Sequence, residues 1–233
     1  MKTIGIVGGF TWLATLEYYR LINAGTAARL GGRHSARIVL ESVDFEAHLR
    51  LHDREGWDGV AVEIAAIGRR LRDAGADFLL LTANTLHKVA DPVEAAVGLP
   101  VLHIADATAA AVKARGLRRI GLLGTRWTMN EEFWRGRLAE RHGIEVLIPE
   151  PPLAQAVDRL IYDELAAGRF EAPGKKLCLD AVARLTAAGA EGIALGCTEL
   201  PLLIKPEDTP APLFDTLELH ARAAVDLALA ADE

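Results

Sequence analysis

Cysteine is nearly absent: only Cys178 and Cys197 occur in 233 residues. So few thiols exclude a disulfide framework and point to a reducing, cytoplasmic setting. An excess of positive charge is also missing. The net charge is −6, and Lys and Arg form no long stripe, which argues against a nucleic-acid partner. The short cluster Arg115, Arg118 and Arg119 reads as a solvated face before an apolar strand. No apolar run reaches the length of a membrane span. Met1-Lys2-Thr3 followed by Ile-Gly-Ile-Val reads as too short and too glycine-rich for a signal peptide. Gly5, Gly8 and Gly9 do not make the G-x-G-x-x-G spacing of a dinucleotide site.

What is present is a large apolar fraction, 51%, enough for a sizeable core. Thr3–Val7, Ala36–Leu40, Asp77–Leu81 and Val101–Ile104 read as strands, apolar on both faces. Between them, Leu13–Arg29 and Gly59–Ala74 carry apolar residues at helical spacing. This alternation predicts a doubly wound α/β fold. The second half repeats the first. Ile4-Gly-Ile-Val-Gly-Gly9 recurs as Ile120-Gly-Leu-Leu-Gly-Thr125, and Ala74-Gly-Ala-Asp77 recurs as Ala188-Gly-Ala-Glu191. Leu99-Pro-Val101 has a weaker echo in Pro210-Ala-Pro212. The repeat predicts two similar α/β domains from a pseudo-symmetric duplication: 1–98 with a C-terminal helix in 215–233, and 99–214. No Gly/Ser linker separates them, so a ligand is expected in the cleft between them, at the carboxyl ends of the strands.

Following each repeat to its strand end gives Leu81-Thr-Ala-Asn-Thr-Leu-His87 and Leu195-Gly-Cys-Thr-Glu-Leu-Pro201. Backbone N–H groups at a helix start, with Asn84, Thr85 and Thr198, would make a cradle for a carboxylate. Plain helix capping by Thr85 and Thr198 is the alternative. Cys197 follows a glycine and is expected to open a helix, exposed and with a lowered pKa. Cys178 lies in the helical stretch Lys175–Leu185 and reads as core. An acyl-transfer role for a cysteine would need a histidine base, for which His87 is the best placed of seven histidines.

These phrases resemble the signatures of the aspartate/glutamate racemase family, nearest its enteric-type acidic-amino-acid members. The resemblance rests on Ile4–Gly9, Ala83-Asn-Thr-Leu-His87, Gly124-Thr-Arg126 and Gly196-Cys-Thr-Glu-Leu200. It implies two α/β domains, an aspartate or glutamate substrate, and no pyridoxal phosphate or metal. It implies further that one cysteine from each domain flanks the substrate α-carbon, one taking the α-proton and the other giving one to the opposite face. The second-half cysteine, here Cys197, then serves the L enantiomer. Donors at Asn84, Thr85 and Thr198 would stabilise the developing enediolate.

The sequence departs from this pattern where the family's first cysteine would stand, immediately before the Asn-Thr pair. That position is Ala83, and an internal offset of 114 also maps Ala83 onto Cys197. Thr82 is adjacent, but neighbouring strand residues point to opposite faces, and an unassisted hydroxyl is a weak base. The first loop, Gly9-Phe-Thr-Trp-Leu13, places Phe10 and Thr11 where relatives commonly carry Met and then Gly or Ser. His52 falls in Arg50–Trp57, where relatives often place a polar substrate contact. Thr125 follows the repeated strand phrase. Three readings follow: an amino-acid racemase with one catalytic residue replaced, a one-cysteine member akin to the arylmalonate decarboxylases, or a small-carboxylate-binding relative without chemistry. A homodimer is expected.

Overall fold

The computed structural model describes residues 1–230, which form two compact units. Residues 231–233, placed above in the first domain, lie outside the described residues. One unit takes Met1–His103 and the chain from His220 onward; the other takes Ile104–Leu219.

In the first unit, β1 (Ile4–Gly8) leads through α1 (Trp12–Leu30) to β2 (Ile38–Ser42), then through α2 (Phe45–Asp73) to β3 (Phe78–Leu81) and α3 (Ala90–Val97). The sheet is parallel, in the order β2-β1-β3. Every β1 residue is buried because helices cover both faces. Val7, Leu79 and Leu81 pack with Val60, Ile64 and Leu71 of α2. On the opposite face a Cβ at Gly8 would strike the Thr15 side chain of α1. Helix α2 is longer than the expected 59–74. It starts from an Asp44 cap that accepts from Glu46 N at 3.0 Å, and it breaks at Gly56 (φ 63°). The polar run Arg50–Asp58 hides its period in the sequence.

In the second unit, α4 (Ile104–Ala114) precedes β4 (Arg119–Gly124). Then come α5 (Arg126–Asn130), α6 (Glu132–His142), β5 (Glu145–Leu147), α7 (Pro151–Asp163), α8 (Ala172–Ala187), β6 (Ile193–Gly196), α9 (Leu200–Leu203) and β7 (Leu213–Asp215). The sheet is again parallel, in the order β5-β4-β6-β7. Helix α10 (Thr216–Leu229) follows and joins the first unit from His220 on, where Lys2 N donates to Ala228 O at 2.8 Å.

The duplication is visible bond by bond. Ala76 N donates to Leu71 O and Ala190 N to Leu185 O, both at 3.0 Å. Each is preceded by a left-handed glycine that stops the helix, Gly75 (φ 95°) and Gly189 (φ 100°). Asp77 N donates to Thr3 O and Glu191 N to Arg119 O, both at 2.9 Å. Leu79 N donates to Pro100 O, as Ile193 N donates to Pro212 O. One expectation fails here. Val101–Ile104 is not a full strand: Val101 makes a single parallel bridge to Leu79, and Ile104 already starts α4. An early helix start leaves room for one bridge only. No helix among the described residues is long and apolar enough to cross a membrane.

Candidate functional site

Each sheet reverses its winding direction beside its central strand. The carboxyl ends of such neighbouring strands are where loops diverge and a ligand can enter. In the first unit these ends carry Gly9-Phe10-Thr11 after β1 and Thr82–Thr85 after β3. In the second they carry Gly124-Thr125-Arg126 after β4 and Cys197-Thr198-Glu199 after β6.

The first unit's turn is well anchored. The Thr82 hydroxyl donates to Val7 O at 3.1 Å and lies 3.4 Å from Thr15 Oγ1, buried beside α1. Ala83 packs, partly buried, against the α2-side core. Asn84 precedes a 3-10 turn, Thr85–Val89, and makes no side-chain cap bond to it. His87 is buried in this turn, and its Nδ1 lies 3.1 Å from Ala83 O and 3.3 Å from Asn84 O. A ring nitrogen facing two carbonyl oxygens must carry the proton, so this nitrogen pins the turn, and a base role for His87 would fall to Nε2.

Behind it lie His103 and His220, with ring centroids 4.7 and 5.4 Å away. His220 Nε2 lies 2.8 Å from the Leu102 carbonyl and must donate, so its Nδ1 accepts from the Tyr18 hydroxyl at 2.9 Å. Burial, reinforced by His87, pushes the His220 pKa down to about 3.

Phe10 is buried, its ring edge-on to His48 at 4.8 Å. Thr11 caps α1 by accepting from Ala14 N, and Thr125 caps α5 by accepting from Thr128 N, both at 3.4 Å. His52 sits on the segment of α2 before the Gly56 break, its ring 4.8 Å from Trp57.

The second unit's turn corrects the expectation for Cys197. The thiol is neither exposed nor acidified. It is 8% exposed and donates to Glu199 Oε2 at 3.0 Å, and the Thr198 hydroxyl donates to the same oxygen at 2.7 Å. Burial first, and then the Glu199 carboxylate, push the thiol well above its ordinary range. Helix α9 has only four residues and the first-unit turn is a 3-10 piece, so neither provides a helix dipole. The expected anion cradle therefore gains no support from a helix dipole at either turn. Capping does not account for Thr198, because its hydroxyl goes to Glu199 and the cap position of α9 is Glu199 itself. Cys178 lies buried in α8, and burial pushes its thiol up to about 12, in keeping with a core role.

Two residues escaped the sequence reading. Glu199 was legible only as part of the Gly-Cys-Thr-Glu phrase; its spacing of two from Cys197 was the available signal. Tyr162 on α7 has its phenol pushed up to about 12 by burial and then by Asp158 and Cys197. Asp158 also accepts from Arg126 N at 2.7 Å, which ties α7 to the β4 strand end. Nothing in the spacing of α7 announced either contact. A cavity of about 730 Å³ opens along this flank, lined by Arg126, Met129, Gln155, Asp158 and Arg159 among others.

The model of the Asp/Glu/hydantoin racemase family matches residues 7–224, nearly the whole chain. The chain belongs to this racemase family. An Asp/Glu racemase candidate from Yersinia pestis is 46% identical, with a TM-score of 0.93 over 99% of this chain and 100% of that one. An aspartate racemase homologue from Pyrococcus horikoshii OT3 is 34% identical, with a TM-score of 0.82 over 98% and 99%. The glutamate racemase of Synechococcus sp. (strain CC9605) is 30% identical over 58% of this chain, and the match spans 48% of that racemase's length. The family fold extends to an arylmalonate decarboxylase, 19% identical with a TM-score of 0.55, a likeness of fold alone.

Proposed function

We propose that this racemase-family chain acts on the α-proton of aspartate or glutamate through Cys197, without a cofactor. The observation that carries the reading is the buried Cys197–Glu199 pair at the β6 strand end. The S–H proton can pass to Glu199 Oε2. The resulting thiolate takes the α-proton, and the carbanion delocalises onto the substrate carboxylate as an enediolate. Returning a proton from the same thiol restores the starting enantiomer. Ala83 has no proton to give, so inversion is slow while one-face exchange is fast. In heavy water, L-aspartate or L-glutamate should lose its α-proton signal faster than chiral chromatography detects the D form. The D enantiomer should exchange little. Absence of exchange with either amino acid overturns the reading. Adding pyridoxal phosphate or a chelator should leave the exchange unchanged.

One observation favours a second reading. A thiol held protonated at neutral pH is ready to donate, as the one-cysteine decarboxylases require. Release of carbon dioxide from an arylmalonate, with no α-proton exchange on amino acids, would select that reading. A third, binding without chemistry, is left if a thermal shift with small carboxylates accompanies neither reaction.

A further inference from the structure

The cavity of about 730 Å³ in the second unit has no part in the proposed reaction, and none of Cys197, Thr198 and Glu199 lines it. Its volume falls in the range of small-molecule pockets, roughly 300–1,000 Å³. Two helix faces wall it. Arg126, Met129 and Asn130 stand at i, i+3 and i+4 on α5. Pro151, Gln155 and Arg159 stand at i, i+4 and i+8 on α7. Its apolar lining is buried at Met129, Pro149 and Ala154, while Arg126, Asn130, Gln155 and Arg159 are exposed at its mouth.

Neither guanidinium is neutralised within the fold. Among the described residues Arg126 and Arg159 make no ion pair, and Arg126 lies over Trp127, 4.9 Å from the ring centre. The two carboxylates that line the cavity are placed otherwise. Asp158 is buried, and its Oδ1 accepts from Arg126 N at 2.7 Å. Glu150 precedes α7, and Arg159 lies about 12 Å of helix rise beyond the first residue of that helix. The start of α7 offers an anion no N–H. Pro151 and Pro152 have none, and Leu153 N and Ala154 N both donate to Glu150 O at 2.9 Å. An anion here is therefore held by side chains, and a guanidinium meets a planar oxyanion through two parallel bonds.

We infer that this cavity is a second small-molecule site, for a carboxylate carried on an apolar body. Arg126 and Arg159 take the charged head at the mouth, and the body lies against Met129, Pro149 and Ala154. Burial of the body supplies most of the affinity, and the arginines fix the orientation and select the charge. The occupant sits at the β4 strand end that Asp158 holds, beside the Cys197 turn and not on it.

Isothermal titration calorimetry with 4-phenylbutyrate tests the site. Binding should saturate, and excess L-aspartate should leave it unchanged. The uncharged 4-phenylbutyramide and the ringless butyrate should each bind roughly tenfold more weakly or worse, because each lacks one half of the recognised pattern. Arg126→Gln and Arg159→Gln should each weaken 4-phenylbutyrate by a similar factor, and the double variant should abolish saturation. Gln155→Trp, at an exposed position, should fill the mouth and block binding with the fold intact by circular dichroism. No saturable binding of 4-phenylbutyrate overturns the inference. So does equal binding of the amide, displacement by L-aspartate, or a folded double-arginine variant that binds as the unaltered chain does.

Discussion

The turns after β3 and β6 are copies of one backbone device, yet only the second sets a thiol at the strand end. After β3, the residue facing the core is Ala83, and the neighbouring Thr82 hydroxyl is spent on the Val7 carbonyl. After β6, the matching residue is Cys197, bonded to a buried carboxylate. The helix stops and backbone bonds leading into the two turns coincide residue for residue. The repeat therefore keeps the scaffold, while the side chains that it carries at the strand ends differ.

Exchanging residues between the repeats probes this most directly. Ala83→Cys copies the second turn into the first and should raise inversion of aspartate or glutamate by roughly 10²–10⁴-fold, the usual effect of a positioned acid or base. Cys197→Ala should abolish α-proton exchange, and chiral chromatography beside NMR reads both. Equal, rapid inversion and exchange in the unaltered chain would break the comparison, since another group would then be filling the place of Ala83.

The strand-end loops should respond asymmetrically. Gly9 holds φ 97°, and a Cβ there would lie 2.3 Å from Val43 O, whereas its counterpart Thr125 has φ −67°. Gly9→Thr should therefore cost roughly 3 kcal/mol of stability, and Thr125→Gly only a few tenths. Chemical denaturation measures both.

The histidine layer, with His220 at its base, belongs to the first unit alone. The unfolded chain binds a proton at His220 near pH 6.5, but the folded chain does so only near pH 3. The unfolded state thus holds more protons in that window, so stability is complete above it and falls as the pH drops through it. The slope approaches about 1.4 kcal/mol per pH unit. His220→Gln should flatten it by that amount in denaturation curves at pH 4–7; an unchanged slope would place the effect elsewhere.

The smallest effect concerns Glu199. Removing its charge with Glu199→Gln should lower the Cys197 thiol pKa and speed alkylation of Cys197 a few-fold at mildly alkaline pH, as mass spectrometry would read. Burial, the larger cause of the raised pKa, remains. Slower alkylation would mean that the carboxylate acts on Cys197 as a proton acceptor more than as a neighbouring charge.

Much of this was legible in the sequence. Apolar runs between helical periods marked β1, β2 and β3 to within two residues; β1 and β3 are buried throughout, as parallel strands covered on both faces are, while the edge strand β2 is only partly buried. The repeated Ala-Gly-Ala phrases marked the helix stops, because a left-handed position strongly favours glycine. The first part of α2 was hidden, since its cap and its Gly56 break carry no apolar period. Val101–Ile104 looked like a strand because a short apolar run cannot itself show where pairing ends.

The sequence by itself determined the α/β alternation, the duplication and the absence of a cysteine at position 83. These follow from local periodicity, glycine stereochemistry and residue identity. Tertiary structure alone decided the protonation of Cys197. A glycine-preceded thiol at a strand end reads as exposed and acidified, but its pKa is set by burial and by a carboxylate oxygen 3.0 Å away. Desolvation and Coulomb energy depend on distance in space, which residue order does not contain.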